Sequence, residues 1–595
     1  MKRTRLSLAI VLSALLCTAG AGAQEKVGKV SFPTSCGAAV QADFDRAVAM
    51  LHSFWFQASV NVFAEVLQKD PACGMAHWGM AMNLFGNPFA WPPSPKALAD
   101  GGAAIERAKA TGAKTERERD YIATVAAFYQ DAATVDHRTR ALAYLAGIER
   151  VAQRYADDRE AAIFYALALN ATALPTDKTY ANQLKAAGIL EKAFAEQPQH
   201  PGVAHYLIHS YDYPSIADRG VTAARRYAGI APSAPHALHM PSHIFTRRGY
   251  WQDSIESNRA SAEAAKGDHF NQFHAMDYLA YAYLQTAQDQ AAKRVLDNIR
   301  EIQKVKMEHF VAGFALAAIP SRYALERGRW SEAAALTLSP SDFPWSRFPQ
   351  SESQLVFARG LGAARNGDAV AARRDADRLQ ALRDALTAAR QGYWAEQTEI
   401  QRLIVAAWAA RVEGKRAEAF QLLRAAVERE DATEKHPVTP GPIAPARELL
   451  GEMLLDSSQP AEALKEFEAT MRVEPNRFRS IAGAARAAEL AGDKAKARSY
   501  YTQLVALTDK ADGERPEVKQ AKAFLAKGRP VPKGDGPMAK ILRCGDLMPG
   551  CNFVAEGKDV AEVLAKGAEH AKKDHGIAAI PPEMAQKVQA AIKDK

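Results

Sequence analysis

Residues 460–476 read PAEALKEFEATMRVEPN. The small Ala461 and Ala463, the aromatic Phe467 and the late Pro475 describe one packed helix that stops before its proline. Around it the spacing of apolar residues predicts helices over Ile443–Leu455, Pro460–Met471, Arg477–Leu490 and Lys494–Leu507, which make two helix-turn-helix units. The theme returns near the other end in ASVNVFAEVLQKDPACGMAHWGMAMNLF (58–85), with Phe63, Pro71 and a Trp78-Gly79 pair. Between these ends almost every segment carries apolar residues at helical spacing, with alanine at the close contacts. No run of alternating strands and no glycine-rich phosphate loop appears. The expected fold is all-α, an array of helices roughly 12–16 residues long joined by short turns.

The 460–476 stretch resembles the second helix of a tetratricopeptide repeat, and that resemblance covers most of residues 40–527. It implies a right-handed α-solenoid of helix pairs whose first helices line a concave groove, and it implies no reaction. LSPSDFPWSRFPQSES (338–353) is expected to separate an array over 33–340 from a second over 341–527. EKHPVTPGPIAP (434–445) reads as an ordered loop entering the last repeats. Asp509 to Lys540, rich in Lys, Gly and Pro, reads as a linker, its core at 528–540, leading to a small domain over 541–595.

The chain has 595 residues, 48% apolar and 24% charged, which excludes a disordered chain and a polytopic membrane protein. The net charge of +8 is spread without a Lys/Arg stripe among aromatics, so no nucleic-acid partner is expected. Residues 1–23 read as a signal peptide, with basic Lys2, Arg3 and Arg5, apolar Leu6–Leu16 and small Ala21-Gly22-Ala23. Leu16 is too large to precede a lipoprotein cysteine at Cys17. A periplasmic or secreted protein, without membrane insertion after cleavage, is therefore expected. Four cysteines remain, and in an oxidising compartment Cys36–Cys73 is expected as a disulfide.

Histidine placement is the informative feature. Of 15 histidines, His200, His205, His209, His236, His239, His243, His269 and His274 fall within one short segment. HYLIHSYD places His205, His209 and Asp212 along one helix face; HALHMPSH does the same for His236, His239 and His243. His205 to His239 and His209 to His243 are both 34 residues, and a further 34 reaches Asp277, three after His274. That is one tetratricopeptide period, so these side chains fall at equivalent positions on successive first helices. Imidazoles from neighbouring helices can then meet to hold a divalent transition metal, zinc or copper foremost, on one ion or two. Asp212 and Asp277 are candidates as oxygen ligands or as partners that fix a ring.

Other readings stand beside this one. A groove with Tyr206, Tyr211, Arg247 and Arg248 suits a peptide carboxylate, and the histidines also fit an internal hydrogen-bond network. Pro241 threatens the shared face of its segment. No HExxH is present, and so the standard zinc-protease helix is missing. His52 and His77 are 25 residues apart and off the period; His436 fits a capped turn, and Trp55, Trp78 and Trp91 fit core.

ALHMPSHIFTRRGYW, MLHSFWF, DPACGMAHWGMAM and HPVTPGPIAPARELLGEMLL resemble a group of exported bacterial tetratricopeptide proteins, which implies architecture and compartment only. In the tail, ILRCGDLMPGCNFVAEG reads as two extended pieces around Pro549-Gly550. DVAEVLAKGAEHAKKDHG reads as a helix capped by Asp559 and closed by Gly576. Cys544, Cys551, His570 and His575 on this ββα-like, α+β unit are either a tetrahedral metal site or a Cys544–Cys551 disulfide beside packed histidines. CGDLMPGCNFVAEG with EHAKKDHGI is similar to a small bacterial domain to which no activity is attached.

Three functions follow. The first is an exported scaffold with a histidine-rich, metal-binding groove that takes a protein or peptide ligand. The second is a metal-dependent hydrolase or oxidase on the same solenoid. The third is an interaction module without metal.

Overall fold

The computed structural model describes residues 25–302, 304–306, 308–527, 539–577 and 581–595. The predicted signal peptide, and all but the last two residues of the predicted linker 528–540, lie outside the described residues. Contacts divide the chain into two compact units, one ending at Lys522 and one running from Ala523 to Lys595. No division falls at Leu338–Ser353.

The first unit is an array of α-helices packed against their sequence neighbours, as Gln41–His52 is on Phe56–Lys69 and Pro460–Val473 on Phe478–Leu490. Phe467 shows how the pairs lock. Its ring is wholly buried between Gly451 and Gly483, where an added Cβ would come within 2.9 and 2.4 Å of it. Phe63 meets Gly79 in the same way, with 2.3 Å left for a Cβ. The aromatic of one helix thus needs a missing side chain on the next, and any larger residue at Gly79 or Gly483 forces the helices apart.

Four helices in three stretches of the chain carry the histidines. The helix Pro201–Tyr211 begins on a proline and is capped by the His200 ring, whose Nδ1 accepts from the Val203 N–H at 3.3 Å. Pro235–His239 and Pro241–Arg248 meet at Met240, which keeps helical angles (φ −53°, ψ −36°). Pro241 therefore sits in a first turn, where its missing N–H costs little, and the face it was expected to break persists. The helix His269–Gln285 is capped by Asp268, which accepts from the Phe270 and Asn271 N–H groups.

The loop over 434–445 is ordered and folds onto this region. Carbonyls of Gly441 and Pro442 accept from Arg322 at 2.7 and 2.8 Å, and that of Pro440 accepts from Arg247. One expectation needs correcting: the first half of Asp509–Lys540 is not linker. Pro516–Lys527 is a helix with Val518 and Ala521 buried, held by Arg515 on Asp289 at 2.5 Å.

In the second unit, strand Lys540–Arg543 lies between Val554–Gly557 and Lys593–Asp594, antiparallel to both. Leu542 faces Ala555 in register. The helix Val560–Asp574, capped by Asp559, covers the sheet, and a second helix, Pro582–Ala591, adds Val588. The last helix and strand extend the ββα reading.

Candidate metal centre

Six imidazoles converge where the four histidine-bearing helices meet. They form two adjacent groups, His205/His209/His236 and His239/His243/His274, in each of which three ring nitrogens lie within 4.8 Å of one another. Rings of the two groups approach to 5.6 Å between His209 and His243 and 5.8 Å between His236 and His239. None of the six is more than 5% exposed.

Their hydrogen bonds settle which nitrogens are bare. His205 Nδ1 donates to the carbonyl of His52 at 2.7 Å, a free acceptor at a helix end, which leaves Nε2 without a partner among the described residues. Neither nitrogen of His209 or His236 has one either. His209 is held by stacking on Phe89 at 3.7 Å, and His236 stacks on Phe54 at 5.4 Å. In the second group, Asn258 gives its Nδ2 to the Ser254 carbonyl, so its Oδ1 is the acceptor for His239 Nδ1 at 2.6 Å. His243 Nδ1 donates to Asp212 at 2.9 Å. The two Nε2 atoms, stripped of protons by those bonds, then face each other at 3.0 Å. Two opposed lone pairs in a buried site repel unless a cation or a hydrogen-bond donor lies beside them.

Protons do not supply that cation at neutral pH. Burial holds His205 down to about 3 and His239 to about 4. Burial, followed by the neighbouring imidazoles, pushes His209, His236, His243 and His274 well below the ordinary histidine range. Buried, neutral imidazole nitrogens in threes, orphaned in the first group and opposed in the second, are what a transition metal takes, at ~2.0–2.1 Å from each. A metal at that distance sets the nitrogens about 3.4 Å apart, against a present spacing within 4.8 Å.

The two aspartates part company. Asp212 orients His243 and is itself met by Lys435 Nζ at 2.5 Å and Arg247 Nε at 3.7 Å. Burial lowers Lys435 to about 8, and Asp212 counters part of that. Asp277 reaches no imidazole. It is ion-paired with Arg322 at 3.2 Å, so its reading as a ligand or ring partner is corrected. His269 accepts from the Lys306 N–H and stands apart. His436 accepts from the Val438 N–H in the capped turn and stacks on Trp394.

Sequence spacing missed the part played by five residues. His52 and His200 both bond to Glu160, at 2.8 Å each, beneath the first group. Lys435 enters from the proline-rich loop, and Asn258 fixes His239 from a second helix. None lies on the repeat period; the proline-rich loop was the single signal available for Lys435.

In the second unit Cys544 and Cys551 are both free, whereas Cys36–Cys73 is bonded as expected. The four donors Cys544, Cys551, His570 and His575 lie within 4.8 Å of one another.

No curated protein matches the chain. Residues 539–594 match a family model described as "Protein of unknown function (DUF1059)". Among solved structures, the human IFIT1 dimer with m7Gppp-AAAA is similar at a TM-score of 0.35 and 12% identity, over 73% of this chain and 90% of that one. The human IFIT1 dimer with PPP-AAAA gives 0.36 and 11%, over 69% and 87%. At scores this low the likeness adds nothing to the stacked helices that this chain's own packing establishes.

Proposed function

We propose that this protein is an exported, metal-binding helical-repeat scaffold that carries a pair of transition-metal ions on two three-imidazole sites, His205/His209/His236 and His239/His243/His274. The observation that carries this is the convergence of six buried imidazoles in two groups of three, with the nitrogens of His205, His209 and His236 left without partners in the first group and the Nε2 atoms of His239 and His243 turned toward each other in the second. Asp212 and Asn258 are positioning residues for His243 and His239. Charge guides the choice of metal. All six donors are neutral, and Asp212 already faces Lys435 and Arg247. Two dications would bring four positive charges into this interior. Copper as a monocation, or a pair of ions bridged by hydroxide, reduces that cost. Export is supported by the leader-like start and by the Cys36–Cys73 disulfide.

A second reading, a metal-dependent oxidase or hydrolase, is favoured by one feature. Each group offers three protein ligands, which leaves a coordination position open as in catalytic sites, whereas structural zinc sites close at four. Elemental analysis of the purified full chain, reconstituted with copper or zinc, tests the binding. Two ions are expected in excess of any held by the tail cysteines. One is to be lost in His209→Ala and one in His243→Ala, with the helical circular dichroism retained. Stoichiometry unchanged in the double variant contradicts the reading.

A further inference from the structure

The second unit has too little core for its length. Its buried apolar side chains are Leu542, Ala555, Val563 and Val588, with Leu547, Phe553, Leu564, Ala591 and Ile592 partly buried around them. Units of this size usually need a disulfide or a metal to hold them, and the two cysteines here make no disulfide.

The geometry around those cysteines is specific. Cys544 opens a single turn directly after strand Lys540–Arg543, and Cys551 follows Gly550, whose φ of +94° brings the chain back. His570 projects from the helix Val560–Asp574, and His575 lies just past its end. Cys544 Sγ is 3.5 Å from His575 Nε2, Cys551 Sγ is 3.2 Å from His570 Nε2, and the two Nε2 atoms are 3.1 Å apart. A zinc ion with Zn–S of about 2.3 Å and Zn–N of about 2.0–2.1 Å has tetrahedral edges of about 3.6 Å for S···N and about 3.4 Å for N···N. Three of the six edges already stand within about 0.4 Å of those values, and all four atoms lie within 4.8 Å of one another. His570 gives Nδ1 to Asp574 at 2.7 Å, which turns Nε2 toward the sulfurs, and its ring stacks on Phe553 at 3.9 Å.

We propose that Cys544, Cys551, His570 and His575 bind one zinc ion in a closed tetrahedral site, and that this ion is the staple joining the hairpin to the helix. Two thiolates and two imidazoles favour zinc over harder metals, and four protein ligands leave no position for chemistry. The ion crosses the sheet–helix junction that the small core secures weakly. Asp574 is a positioning residue, acting through His570.

The test uses the full chain with cobalt(II) as the probe and then zinc. Tetrahedral d–d absorption with a sulfur-to-cobalt charge-transfer band is expected, displaced by one equivalent of zinc. The band reports this site alone, because the buried six-imidazole cluster of the first unit, the histidine trough, offers no sulfur. Loss of the trough metal therefore leaves it intact, and the two readings fail separately. Alkylation of the unmutated chain gives a readout that does not depend on a variant folding: both thiols are expected to be protected by zinc and exposed by a chelator. Cys551→Ser and His570→Gln are expected to abolish the band. Asp574→Asn is expected to keep it while weakening zinc 10–100-fold. Equal thiol reactivity with and without zinc, or a Cys544–Cys551 disulfide in the zinc-treated chain, overturns the proposal.

Discussion

The histidine trough and the cysteine–histidine cluster gather metal-ligating side chains in opposite ways. In the trough the donors are all imidazole, almost wholly buried, arranged in threes, and held by a scaffold whose helices pack without them. In the small unit two sulfurs and two nitrogens lie half-buried in a group of four, beside a core of four fully buried side chains. The first arrangement is a rigid frame that presents open positions. The second is a frame that needs its ion. What a metal does is thus set as much by the packing around the donors as by the donors themselves.

The sharpest way to break this contrast is to remove metal. Binding at a structural zinc site contributes on the order of 10 kcal/mol in small zinc domains. Chelation of the full chain is therefore expected to open residues 539–595 to limited proteolysis while the helical unit stays resistant. A small unit equally resistant with and without zinc would erase the distinction.

Acid sharpens it next. In the helical unit burial pushes His436 down to about 3 and His137 to about 4, and the trough imidazoles follow the same direction. Below the ordinary value of 6.5 the unfolded chain takes up protons that the folded unit refuses. Stability of the metal-free unit should fall as pH drops from 6.5 towards 4, by up to about 1.4 kcal/mol per pH unit for each such histidine. In the small unit burial opposes, but Cys551 and Asp574 outweigh it, and His570 is raised instead. Denaturant midpoints of the helical unit at pH 7.5, 6 and 5 check this, and a flat profile would contradict the burial.

How far this contrast could be read from sequence is instructive. The 34-residue period placed His205 and His209 opposite His239 and His243, because equivalent helices present equivalent faces. The third member of each group came from the next helix at offsets the period does not fix: His236 lies 27 residues after His209, but His274 lies 31 after His243. Helix stagger, one turn different between the two, decides that. Asp277 followed the period and still pairs elsewhere, because Arg322 from a later helix reaches it. Lys435 and Glu160 arrive through tertiary packing, for which local spacing carries no signal. The tail motif was legible as residue types; the choice between disulfide and metal site needed the 3.1–3.5 Å contacts.

A smaller effect concerns the groups behind the ligands. Asp212→Asn and Asn258→Ala are expected to weaken metal in the second imidazole group 10–100-fold and to leave the first group unchanged, as read by competition with a chelating dye. Equal weakening of both groups would mean that the two sites are one.

The central claim is met most directly by anomalous X-ray diffraction at the copper and zinc edges on crystals of the metal-reconstituted chain. Two peaks are predicted in the trough, each within about 2.2 Å of three imidazole nitrogens, one at His205, His209 and His236 and the other at His239, His243 and His274. Trough density without an anomalous peak, with the ring nitrogens bonded to water, would contradict the account.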